Sequence, residues 1–183
     1  IMEKNTNNLV CVPPPKSIDN DFYHKKYINN GGEGVVIEEF YDGTMINVFN
    51  YNGVNYISTR SCLGAHNKYR SIKTFNAMFN ECIDFEIFDK LDKKYCYSFL
   101  LQHPENKIVK HYNSASSILT MTTRIDEDNS VYVLNSSETN QLLAKCEVDV
   151  NVPKVLSIDS MENIYKELDS LNDTDQGFIL KIY

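Results

Sequence analysis

The side chains that could do chemistry are few and lie far apart along the chain. Glu38 and Glu39 stand together at the end of an apolar run, Asp42-Gly43 follows, and Arg60-Ser61 closes the next polar cluster. On a strand, adjacent side chains face opposite ways, so one of Glu38 and Glu39 can turn into a pocket and hold a ribose hydroxyl or a metal. The plainer reading is a solvated charge on an edge strand. Arg60 suits an anion best, because a guanidinium grips a phosphate with two parallel N–H donors. His103 precedes Pro104 in a turn and reads as a surface or capping residue. Cys62 and His66 are four apart, and two lone ligands do not make a zinc site, so no protein metal site is expected. No Ser-His-Asp set, glycine-rich phosphate loop or H-E-x-x-H pattern is present.

Positioning these groups falls to one domain's worth of chain. The 183 residues (21.1 kDa) are enough for one well-buried core and short for two. A formal net charge of -7 argues against a general nucleic-acid binder, although a local basic groove stays compatible with it. The five cysteines, an odd number without a C-x-x-C pair, read as reduced thiols of a cytoplasmic protein. No stretch is long or apolar enough to span a bilayer, so no membrane partner is expected. Abundant Asn, Lys, Ile and Tyr fit an AT-rich genome.

The stretch from Gly34 to Ala65 reads as three strands joined by tight turns at Asp42-Gly43 and Asn52-Gly53, dipeptides that tolerate positive φ. Ile46 and Val48 alternate with Asn47, as in a half-buried strand. Residues 1–8 are polar and expected to fray, and Pro13 to Pro15 stop the short apolar run Leu9 to Val12. Ser17 to Asn30 carries Phe22, Tyr23 and Tyr27, and Asn29 to Gly32 marks a loop. Tyr69, Ile72, Phe75, Met78, Phe79, Cys82 and Ile83 predict an amphipathic helix over 68–83. Tyr95 to Gln102 predicts a buried strand with Lys107 to Tyr112 as its neighbour across an HPEN turn. Ser117 to Thr123 and Val131 to Leu134 form a further predicted hairpin, and Ser137 to Cys146 a short helix. Asp159 is positioned to cap a helix whose stripe is Met161, Ile164, Tyr165, Leu168 and Leu171. GFILKIY at the end reads as a strand. The expectation is an α+β domain over 17–183, antiparallel sheets with packed helices, behind an extension of residues 1–16.

Three segments in order resemble the adenylyltransferase domain of phage-type RNA ligases, within the covalent nucleotidyltransferase superfamily of DNA ligases, RNA ligases and capping enzymes. EEFYDGTMINVF followed by YISTRSCLGA is similar to the strand with Lys-x-Asp-Gly and the basic cluster after it. YSFLLQHPENKIVKHY is similar to the Phe-Glu strand followed by Pro-Glu-Asn-Arg-Ile-Val, and QGFILKIY to the Glu-Gly strand ending in lysine. The match runs from about Phe22 to the end, and its wording looks most like divergent homologues in large DNA viruses. The resemblance implies a nucleotidyltransferase fold, ATP or GTP with Mg2+, and an RNA 5′ end, capped or plain, as partner. In the family a lysine attacks the α-phosphate, and its amine must be deprotonated to do so.

Residue by residue, the resemblance puts Phe40 in the lysine nucleophile's place, Leu100 in that of the second motif's carboxylate and Gln176 in that of the third. The implied reading is a fold kept while covalent transfer is lost, with binding of a nucleotide, an RNA end or a protein partner in its place. Glu38, Glu39, Asp42, Gly43, Arg60, Ser61, Lys110, Gln176 and Lys181 are the implied binding residues. The alternatives are an active ligase with a relocated lysine, Lys110 or Lys181, and a viral scaffold, in host cytoplasm or virion, that binds no nucleotide. A further lysine-bearing strand would follow Tyr183 in the family, so a truncated domain is among the expectations.

Overall fold

The computed structural model describes residues 1–17, 35–156, 161–171 and 176–183. The expectations for Ser17 to Asn30, the Asn29 to Gly32 loop and the Asp159 cap fall wholly or largely outside them. The strands are β1 (Val35–Glu39), β2 (Thr44–Tyr51), β3 (Val54–Ser58), β4 (Tyr95–Gln102), β5 (Ser116–Ile125), β6 (Val131–Val133), β7 (Val155–Leu156) and β8 (Phe178–Ile182). The helices are α1 (Phe75–Asn80), α2 (Ile87–Lys90), α3 (Ser136–Lys145) and α4 (Met161–Ser170). Two antiparallel sheets result, ordered β3-β2-β4-β5-β6 and β7-β1-β8. Each belongs to its own compact unit: residues 1–14 with 42–152, and residues 15–41 with 153–183. The chain passes between units at Pro14–Pro15, Tyr41–Asp42 and Val152–Pro153.

In the larger unit the β2–β3 hairpin forms where Asn52-Gly53 predicts it, with φ of 51° and 80° at the two turn residues. Asp42-Gly43 does something else. β1 pairs with β7 and β8, not with β2, so this dipeptide carries the chain from one sheet into the other. Turn chemistry specifies a local reversal; it does not specify which strands pair afterwards. A Cβ on Gly43 would stand 2.8 Å from the Leu101 carbonyl oxygen, so close backbone approach requires glycine there.

β2 is buried on both faces instead of one. Ile46, Val48, Phe79 and Phe99 lie in the main core, while Phe49 on the other face packs with Cys11 and Cys96. Asn47, 2 % exposed, accepts from Ser98 Oγ at 2.9 Å, which satisfies its oxygen in the interior. The residues covering that face come from the N-terminal arm, which is tied down instead of frayed. Met2 pairs with Leu9, and the Leu9 N–H donates to Asn129 Oδ1 at 2.7 Å.

The predicted helix over 68–83 shrinks to Phe75–Asn80. Thr74 caps it, its hydroxyl accepting from the Ala77 N–H, and a cap fixes where a helix starts whatever periodicity precedes it. Tyr69 and Ile72 are exposed in consequence, Ile72 at 86 %. Phe79, 0 % exposed, packs against Phe88 and Phe99, and truncating such a ring costs about 3–5 kcal/mol. Residues 107–112 form no strand: β4 is flanked by β2 and by β5, and the Val109 and Lys110 N–H groups donate to Asp42 instead of to a ladder. The β5–β6 hairpin and α3 stand close to where the pattern puts them, α3 starting with a reciprocal Asn135–Glu138 capping box.

In the smaller unit, β1 is the central strand, and β8 forms from GFILKIY as expected. The stripe on α4 is partly uncovered: Ile164 is buried and Leu171 half-buried, whereas Tyr165 and Leu168 are exposed.

Candidate functional site

The register of the five-stranded sheet decides which loops meet. Thr44 at the start of β2 pairs with Leu101 near the end of β4, Asn47 pairs with Ser58 at the end of β3, and Gln102 pairs with Ser116 at the start of β5. One end of the sheet therefore collects Asp42-Gly43, Arg60-Ser61 and the segment from His103 to Tyr112.

There the Asp42 carboxylate accepts from two successive backbone N–H groups, Val109 at 2.8 Å and Lys110 at 2.9 Å. Its carbonyl oxygen accepts from Gln102 Nε2 at 3.2 Å and the Tyr112 hydroxyl at 2.9 Å. Asp42 thus holds the loop that carries Lys110. Burial, with the Asp42 charge second, pushes the Tyr112 hydroxyl above its ordinary range. The Lys110 ammonium sits 6.0 Å from the Tyr112 ring centroid. Asn106, 2 % exposed, donates to Thr44 Oγ1 at 2.9 Å and fixes the other end of the loop. Arg60 is exposed, with one guanidinium nitrogen donating to the Pro14 carbonyl at 2.6 Å. Ser61, also exposed, follows the Thr59 turn, in which Thr59 Oγ1 accepts from the Cys62 N–H at 3.1 Å. Leu100 is half-buried on β4, opposite Met45.

His103 is buried, not a surface residue, though it does cap. Its Nδ1 accepts from the Glu105 N–H at 3.1 Å, so the proton sits on Nε2, which faces Glu81 Oε2 at 3.0 Å. Lys73 bridges Glu81 and Glu105, both at 2.8 Å, and holds their carboxyls below the usual range.

The smaller unit gathers the remaining candidates. Glu38 is 3 % exposed on the central strand and ion-paired with Lys181 of β8 at 2.5 Å, so the solvated edge charge expected of it is overturned. Glu39 accepts from the Tyr41 hydroxyl, whose own pKa is driven up by burial first and by the carboxylate second. Phe40 is 41 % exposed, and its N–H donates to the Gly177 carbonyl at 2.9 Å. This contact continues the β1–β8 ladder and puts Phe40 and Gln176 at the same end of it.

Glu38, Glu39, Phe40, Gln176 and Lys181 thus share one unit, and Asp42, Gly43, Arg60, Ser61, Leu100 and Lys110 the other. Gln102, Asn106 and Tyr112 were not singled out by sequence. An amide closing the apolar strand YCYSFLLQ was the available signal for Gln102.

No protein-family model and no curated relative matches the chain. Solved structures do. A putative ATP-dependent DNA ligase from Aquifex aeolicus superposes with TM-score 0.58 at 18 % identity, over 80 % of this chain and 40 % of its own. An archaeal ATP-dependent RNA ligase gives 0.60 at 16 %, over 81 % and 39 %. A Naegleria gruberi RNA ligase mutant with ATP and Mn gives 0.60 at 11 %, over 100 % and 57 %. The chain has a ligase-type nucleotidyltransferase fold. It spans 40 %, 39 % and 57 % of the length of those three ligases. Within this ligase-type fold, no group of three or more His, Cys, Asp or Glu side chains placed to hold a metal occurs among the described residues. Nor is any helix among them long and apolar enough to cross a membrane.

Proposed function

We propose that this ligase-type domain, residues 17–183, has lost covalent nucleotidyl transfer and binds a nucleotide or the 5′ end of an RNA, capped or plain. The observation that carries this reading is Phe40 in the place the resemblance gives to the lysine nucleophile, since a benzyl group has no lone pair with which to attack phosphorus. Leu100 and Gln176 in the places of carboxylates support it. Arg60, Ser61 and Lys110, with Asp42 and Gly43 shaping their end of the sheet, are the groups proposed for phosphate within the larger unit; Glu38, Glu39, Gln176 and Lys181 are the binding residues proposed within the smaller unit. ATP or GTP with Mg2+ or Mn2+ are the first ligands to try, because a Naegleria gruberi neighbour was solved with ATP and Mn. Glu38 and Glu39 in the smaller unit and Asp42 in the larger already have partners within their own units, so neither unit's carboxylates fit a resident metal. A cytoplasmic setting, within a host cell or virion if the gene is viral, is proposed from the five widely spread cysteines without a C-x-x-C pair.

A second reading, an active ligase with a relocated nucleophile, has one observation in its favour. The Asp42 staple fixes the backbone of Lys110, whose amine is in no ion pair among the described residues. Incubation with labelled ATP or GTP plus Mg2+ or Mn2+, followed by intact mass, separates the two. The proposed function expects no adduct and a ligand-dependent rise in Tm. An AMP or GMP adduct mapped to Lys110 or Lys181 establishes the second reading. Absence of both adduct and shift leaves a scaffold or protein-binding role.

A further inference from the structure

The loops at the Asp42 end of the five-stranded sheet reverse the charge of the chain. Segments 60–73 and 103–112 carry Arg60, Lys68, Arg70, Lys73, Lys107 and Lys110 against a single acidic residue, Glu105, in a chain with 18 basic and 25 acidic residues. The two segments are clamped together: Ser71 Oγ donates to Glu105 Oε2 at 3.0 Å, and Lys73 pairs with Glu105 at 2.8 Å. Glu81 and Glu105 neutralise Lys73. Among the described residues, Arg60, Lys68, Arg70, Lys107 and Lys110 are in no ion pair. Tyr69 stands among them, 43 % exposed, with the Arg70 guanidinium 5.1 Å from its ring centroid. Arg70 holds this place with φ of 53°, a left-handed conformation uncommon outside glycine.

We propose that Lys68, Tyr69, Arg70 and Lys107 form a surface for single-stranded nucleic acid, with the cations along the phosphate backbone and a base stacked on the Tyr69–Arg70 platform. Charge complementarity selects a polyanion, and an exposed aromatic ring beside unpaired cations selects one that carries planar bases. The surface would track the strand beyond its end, so it extends the end-binding function without requiring a 5′ phosphate. Exposed Ile72 and Val109 beside the same cations make an anionic membrane the competing partner.

The test is fluorescence anisotropy on the intact chain with a labelled 5′-hydroxyl oligouridylate of about 12 nucleotides, within the usual span for such sites. Binding should weaken with salt, with a log–log slope of about -0.7 per phosphate contacted. Tyr69→Ala should weaken it roughly fivefold or more. Lys68→Gln with Arg70→Asn, asparagine being tolerated at positive φ, should weaken it and flatten the salt slope. Lys166→Gln, on the exposed face of α4, should change nothing, and unchanged Tm in each variant controls for folding. No binding at low salt, or binding indifferent to these loop variants, overturns the proposal. So does binding to phosphatidylserine vesicles, lost in Ile72→Asp, without binding to the oligonucleotide. A failed nucleotide shift alongside loop-dependent binding would sink the end-binding function and leave this surface standing.

Discussion

Glu38 and Asp42 lie four residues apart and use the same chemical group in opposite ways. Glu38, buried on a central strand, answers one charge, the ammonium of Lys181. Asp42, half-exposed before a strand, answers two uncharged N–H groups of a loop. A buried ion pair costs desolvation on both sides, and removing one partner leaves the other charge stranded. A carboxylate on loop N–H groups can be replaced by water, at little cost in stability and more cost in order. The smaller unit therefore keeps its candidate lysine engaged, while the larger unit keeps its candidate lysine's backbone fixed and its amine in no ion pair among the described residues.

The largest effect should come from breaking the ion pair. Glu38→Ala should cost about 3 kcal/mol in urea unfolding, the low end for a broken buried pair because Lys181 is 22 % exposed. Glu38→Leu with Lys181→Met should recover most of that loss. A double-mutant cycle showing coupling under about 0.5 kcal/mol would mean that the pair contributes nothing of its own. Next comes Gly43→Ala, whose Cβ meets the Leu101 carbonyl at 2.8 Å; about 2 kcal/mol is expected, and a neutral result would show that the strand can shift.

Asp42→Ala should cost only about 1 kcal/mol. Faster amide exchange at Val109 and Lys110 is the sharper readout, and unchanged protection there would remove the loop-staple role. The smallest effect is the pH dependence of the Lys73 cluster. Glu81 and Glu105 are held low chiefly by Lys73, so their contribution is present above the ordinary carboxylate range and fades as pH falls through the lowered values. The Tm difference between wild type and Lys73→Met should be flat near neutral pH and shrink below about pH 4. A difference that grows on acidification would contradict the pairing.

What sequence could reveal followed from how local each signal is. Asn52-Gly53 predicts its hairpin because the whole cause, two residues at positive φ between alternating strands, lies within a few positions. Asp42-Gly43 carries the same local signal and means something different, because β1's partners come from beyond residue 150. The aromatic period through Tyr69 and Ile72 points to a longer helix; Thr74, one hydroxyl in the middle of it, sets the boundary. Placement of Phe40, Leu100 and Gln176 came from motif resemblance, and the fold comparison supports the framework around them. The Gln102–Asp42–Tyr112 contacts were not legible, since they join residues about 60 to 70 positions apart.

The three crossings of the chain between units bear on any attempt to take the protein apart. Neither unit is a continuous piece: residues 42–152 are an insertion within the smaller unit, and the larger unit borrows residues 1–14. A single proteolytic cut at any crossing therefore yields two fragments, at least one of which carries strands or arm residues belonging to both units. Halves prepared by truncation would each lack part of a core. Testing one unit alone calls instead for rejoining its own segments: a linker from Pro14 to Asp42 for the larger, and from Tyr41 to Pro153 for the smaller.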